Sequence, residues 1–156
     1  MMTTQTAVPA EPLVVQPDEG TVIDELHVRV VAPAAATRAS ISAAVCTNPG
    51  PGGPPLHTHH AHDEYYYVLK GTYRFKIGER VVEGGPGLFV SAPRNTSHTF
   101  ASVGPDEGQM FFFVVPGGIE KFLERMAGLP VKDRGREGLE QLFLDFDSEI
   151  DGPPLL

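Results

Sequence analysis

The chain has 156 residues, with 20 acidic side chains against 12 Lys and Arg and a net charge of −8. That length fits one domain with a substantial core. An acidic chain without a Lys/Arg cluster excludes phosphate-backbone binding, so no nucleic-acid partner is expected; no apolar run approaches the roughly 18 residues of a membrane span, so no membrane partner is expected either. The single Cys46 forms no intrachain disulfide, and the opening MMTTQTAVPAEPLVV lacks the basic-then-apolar pattern of a secretory leader, which together point to a cytoplasmic protein.

Residues 1–20, rich in Pro, Thr and Ala, read as a flexible N-terminal arm with one docked piece at Leu13-Val14-Val15. TVIDELHVRVV (21–31) alternates and predicts a half-buried strand with Val22, Leu26, Val28 and Val30 inside and His27 on the surface. After PAAAT, RASISAAVCT (38–47) predicts a strand with Ala39, Ile41, Ala43 and Val45 on one face. NPGPGGPP (48–55) is a strong breaker. EYYYVLK (64–70) and TYRFKI (72–77) read as strands, and Gly78-Glu79 as a two-residue hairpin into RVVE. LFV (88–90) reads as short and buried, followed by HTFASV (98–103) and QMFFFVV (109–115). Short strands separated by turns at intervals of roughly 8–12 residues are the pattern of a β-sandwich or barrel. The period then changes. IEKFLERMAG (119–128) puts Ile119, Phe122, Leu123 and Met126 at helical spacing and ends in Gly128; EGLEQLFL (137–144) suits a second helix, and DFDSEIDG reads as an acidic surface tail.

The chemistry concentrates in HTHHAHDE (57–64), which holds four of the six histidines. Residues i and i+2 of a strand share a side. His57 and His59 therefore project together as a pair of metal ligands must, while His60 points away; His60 and His62 read as turn residues, His62 lying nearer the ligands. A carboxylate and a further imidazole are available in Glu64 and His98, each at the start of a later strand. Two histidines and one carboxylate compose the facial triad that binds Fe(II); a third histidine suits Mn, Ni, Co or Zn equally. A histidine-rich loop, a lone His98 and a lone Glu64 each have an ordinary solvated or structural reading as well.

The spacing resembles the cupin superfamily. Its first motif is H-x-H, three or four residues, E, six residues, G; here His57-x-His59, four residues, Glu64, six residues, Gly71. Its second is G, five residues, P-x-G, two residues, H, three residues, N; here Gly87, five residues, Pro93-x-Asn95, two residues, His98, three residues, Ser102. Pro51, Asn95 and Ser102 depart from the pattern, and none of the three removes a ligand. The resemblance spans about residues 21–128. It implies an all-β, cupin-type double-stranded β-helix (jelly-roll barrel) with one or two C-terminal helices: an arm at 1–20, a barrel at 21–118, and a helical segment with acidic tail at 119–156. The tail PGGIEKFLERMAG is similar to that of small quercetin-dioxygenase-like cupins.

The resemblance further implies one divalent metal ion per chain (Fe, Mn, Ni, Co or Zn) on His57, His59, Glu64 and His98, with Glu64 also catalytic, and a cavity walled by Tyr66, Val68 and Phe100. Such a cavity suits a small aromatic, flavonol-like or diketone substrate, approached past the 48–55 loop and the C-terminal helix. A metal-dependent dioxygenase is the first reading. A non-redox polyketide cyclase or isomerase on the same site is the second, and a ligand-binding cupin without catalysis the third. Tyr65, Tyr67 and Leu69 face outward and need a cover, from the 119–128 helix or from a second subunit; the resemblance implies a homodimer.

Overall fold

The computed structural model describes residues 11–156. The arm reading of residues 1–10 lies outside the described residues; Leu13 and Val14, expected to dock, are exposed.

The first strand pair differs from the sequence expectation. β1 (Thr21–Ile23) and β2 (Val28–Ala32) are an antiparallel hairpin around a 3-10 turn at Asp24–Leu26, closed by the His27 N–H donating to the Asp24 carbonyl. The turn resets the alternation, so Ile23 is buried and Val22 is exposed, the reverse of the expected face; His27 is on the surface as expected. A short helix, α1 (Ala34–Thr37), follows, and Arg38 and Ala39 take left-handed conformations. No strand can begin there. β3 (Ser42–Asn48) starts later and turns Ser42, Ala44 and Cys46 inward, leaving Ala43 and Val45 on the other side.

β4 (Pro55–His59), β5 (Asp63–Lys70), β6 (Tyr73–Ile77) and β7 (Arg80–Gly84) follow, with Gly78 at φ +56 in the hairpin between the last two, a conformation only a residue without Cβ takes freely. β8 (Phe89–Ala92) is not buried throughout: Val90 is inside, but Phe89 points outward and is 55% exposed. β9 (His98–Ser102) and β10 (Gly108–Val115) complete the barrel, then α2 (Ile119–Ala127) and α3 (Arg136–Asp145). The acidic tail is more than surface. Ser148–Pro154 forms β11, paired antiparallel with β4.

Two antiparallel sheets face each other, in orders β1-β2-β3-β10-β5-β8 and β11-β4-β9-β6-β7, giving the double-stranded β-helix with C-terminal helices. Tyr66, Val68, Tyr73, Phe75, Met110 and Val114 are wholly buried between them; each apolar side chain so buried contributes about 1.5–3 kcal/mol. Outside, Tyr65 stacks on Phe113 at 4.8 Å, and Tyr67, Leu69 and Phe89 remain exposed. α2 does not cover this face; it packs at the open end of the barrel against β1 and α3. No helix among the described residues is long and apolar enough to cross a membrane.

Candidate metal centre

Strand alternation brings the expected ligands together. His57 and His59 point inward from β4, Glu64 from the start of β5 in the opposite sheet, and His98 from the start of β9, directly across from His57. All four are buried, and one ligand atom from each lies within 4.8 Å of the others. The Glu64 carboxylate Oε2 is 3.4 Å from His59 Nε2 and 3.3 Å from His98 Nε2.

The turns place these side chains. Arg94 donates from its backbone N–H and its guanidinium to the Asp63 carboxylate, at 2.8, 3.1 and 3.2 Å, and the Asn95 N–H donates to the His59 carbonyl at 2.8 Å. The β8–β9 turn is thereby hooked onto both the His59 and Glu64 strands. Asn95 sits at φ +64, the left-handed conformation expected of a glycine substitute there, and its side chain receives His60 Nδ1 at 2.7 Å. His60 thus points away from the ligands and belongs to the turn. His62 lies against His59, ring centroids 4.3 Å apart, and its buried Nε2 has no partner among the described residues.

The outer nitrogens decide what the inner ones offer. His57 Nδ1 is 2.7 Å from the Pro55 carbonyl and His98 Nδ1 is 2.8 Å from the Thr96 carbonyl. A carbonyl only accepts, so both rings carry hydrogen on Nδ1 and turn Nε2, the atom free to ligate, to the centre. His59 Nδ1 meets Ser148 Oγ at 2.7 Å. Burial, then the neighbouring His98 and His59, push His57 down to about 3, so it is neutral at pH 7. Burial, then His59, push His62 down to about 4. Burial disfavours the charged Glu64, but its hydrogen bonds to His59 and His98 outweigh that and hold the carboxyl well below its ordinary value. Burial pulls His98 down, and contact with Glu64 more than reverses it. Three inward-turned Nε2 atoms and one ionised carboxylate converge on a single point, where a divalent cation can take the place of any hydrogen they share. The donor set therefore fits a divalent metal ion, three nitrogens and one oxygen, of the first-row transition type.

Beside the ligands opens a cavity of about 460 Å³, walled by Cys46, Tyr66, Phe100 and Phe112 and bordered by Phe122 and Met126 of α2, Phe143 of α3 and the 48–54 loop. Tyr66 and Phe100 both line this cavity. Val68, expected on the wall, is fully buried in the core and does not reach the cavity. Tyr66 brings a buried hydroxyl that meets no partner at full hydrogen-bond geometry among the described residues, and burial, then the Glu64 charge and the nearness of that carboxylate as an acceptor, raise its phenol well above 10. Burial pushes the Cys46 thiol up to about 11, which leaves it un-ionised and a poor nucleophile. Phe143, its ring 5.5 Å from His57, was not foreseen at the site; its segment 137–144 was expected only to be a second helix. Ser148 was not foreseen either; a serine in an acidic stretch carries no signal in sequence.

Residues 44–118 match the family model described as "Cupin domain". No curated protein matches the sequence. Among solved structures the chain is similar to KdgF from Halomonas sp. (TM-score 0.54, 20% identity, covering 60% of this chain and 82% of that one). It is also similar to a "predicted oxalate decarboxylase" from Thermotoga maritima (0.55, 19%, 57% and 78%). A third is an uncharacterized conserved protein with a double-stranded beta-helix domain from Klebsiella pneumoniae (0.51, 18%, 63% and 90%). At these identities the likeness is one of fold.

Proposed function

The chain is a small protein of the cupin superfamily, and from that premise we propose that it is a metal-dependent enzyme, a dioxygenase acting on a small aromatic, flavonol-like or diketone substrate. The observation that carries this reading is the pairing of the buried His57, His59, Glu64 and His98 cluster with a cavity whose walls are mostly apolar and aromatic. Among the described residues no lysine or arginine lines that cavity, which favours a neutral ring system over a polyanion such as oxalate or a sugar acid.

A divalent ion held by the four ligands would supply a Lewis acid for an enol or phenol oxygen and, if redox-active, a route to O₂. The remaining work falls to side chains of this chain. Glu64 is the one carboxylate among the ligands and is positioned to take the proton of an enol or phenol arriving beside it. Tyr66 offers its unpartnered O–H to the oxygen that loses that proton. Phe100, Phe112 and Phe122 flank a planar substrate, and Phe143 and the helices exclude water from the ligand side.

Oxygen consumption with a panel of flavonols and β-diketones tests the proposal. Uptake that requires the bound metal is expected; turnover that continues without O₂ would favour the non-redox cyclase or isomerase chemistry, and binding without turnover a ligand-holding cupin. We place the protein in the cytoplasm on its single buried thiol. We also propose a homodimer formed through the Tyr67, Leu69 and Phe89 face; light scattering that gives the mass of one chain would overturn it.

A further inference from the structure

Two of the three histidines are oriented by the backbone two residues upstream. The third, His59, is oriented by a side chain 89 positions downstream. We infer that Ser148, with the strand that carries it, is a positioning residue for the metal centre: it holds His59 in the tautomer that presents Nε2 to the ion. The inference rests on the metal-centre reading and is independent of which reaction follows.

The geometry is specific. Ser148 and His59 are direct cross-strand partners on β11 and β4, so their side chains emerge on the same face, and both are buried. The Ser148 hydroxyl lies 3.1 Å from the Phe146 carbonyl and 2.7 Å from His59 Nδ1. Its one hydrogen goes to the carbonyl, which can only accept. With the hydroxyl hydrogen on that carbonyl, its lone pairs are left to receive an N–H, which is the arrangement in which His59 Nδ1 donates. This bond has a competitor. His59 Nε2 is 3.4 Å from the Glu64 carboxylate, which in the metal-free protein competes for a hydrogen on that nitrogen, the tautomer that cannot ligate. Ser148 sets the balance toward the metal-ready form. Loss of such an outer partner typically weakens metal binding about 10- to 100-fold.

A second contact of the same strand acts on the other ligands. The Asp151 carboxylate Oδ2 accepts from Thr58 Oγ1 at 2.6 Å and Ser97 Oγ at 2.7 Å. Thr58 stands between His57 and His59, and Ser97 immediately precedes His98. The two ligand strands pair directly only at His57 and His98, so Asp151 bridges them where their ladder is shortest.

Imidazole ¹⁵N spectra of the full metal-free chain and Co(II) titrations followed by visible absorption test this. His59 carrying hydrogen on Nδ1 is expected in the wild-type chain. Ser148→Ala should shift His59 toward Nε2–H, raise the Co(II) Kd about 10- to 100-fold and alter the absorption of the bound ion, while Ser148→Thr, which keeps the hydroxyl, restores all three. Wild-type His59 with hydrogen on Nε2, a result that needs no variant, overturns the inference, as does a Ser148→Ala chain that binds Co(II) like wild type. A wild-type chain that takes up no Co(II) overturns the metal reading and this inference with it.

Discussion

The two sheets face the same cavity with different chemistry. The β11-β4-β9-β6-β7 sheet supplies all three imidazoles and a buried polar scaffold of Thr58, Thr99, Ser102 and Ser148. The six-stranded sheet supplies one carboxylate, Glu64, followed by Tyr66, Cys46 and Phe112. The first side is built to hold an ion and adds Phe100 of β9 to the cavity; the other adds a single charge and then a mostly apolar wall. The division follows from burial costs. Imidazoles can be neutral and satisfied by hydrogen bonds, so three fit side by side, whereas a second buried carboxylate would need a further compensating charge.

Substitutions on the two sides should separate these roles. The largest effect belongs to the ion-holding sheet: His98→Ala should weaken Co(II) binding more than 100-fold in titration, beyond the range of an outer partner. Near-normal binding would show that the centre does not need its third imidazole. On the opposite sheet, Glu64→Gln removes the charge and keeps the shape; the loss of a charge-assisted contact should cost about 1.5–3 kcal/mol of metal affinity, a smaller fall than for His98→Ala. A reversed order would place the dominant ligand on the wrong sheet. Tyr66→Phe should be the mildest. Deleting an unpartnered buried hydroxyl should leave Co(II) affinity unchanged and stabilise the metal-free chain by up to about 1 kcal/mol in denaturant unfolding, while turnover falls. A destabilised Tyr66→Phe chain would mean the hydroxyl has a structural partner, and its role toward substrate would fall.

Much of this centre was legible because period and spacing encode it. His57, His59, Glu64 and Tyr66 take their side from strand parity, and parity survives folding wherever the strand is unbroken. It failed at Val22, where a 3-10 turn resets the count, and two left-handed residues, Arg38 and Ala39, moved the start of β3 to Ser42. Val68 shares the parity of Tyr66 yet sits deeper than the cavity floor, since parity gives a direction and no depth. The tail was misread for a different reason. SEIDGPP has the composition of a surface strip, and its pairing with β4 is a long-range contact that no local pattern announces.

That pairing has a consequence for how the chain avoids other chains. Without β11, β4 would be the free edge of its sheet, a row of open N–H and C=O groups ready to recruit a strand from a neighbouring molecule. β11 takes over the edge position and ends in Gly152-Pro153-Pro154, where the two prolines have no N–H to donate. The outermost strand is thereby a poor template for further sheet growth, and the histidine strand stays inside a sheet that stops at its own border.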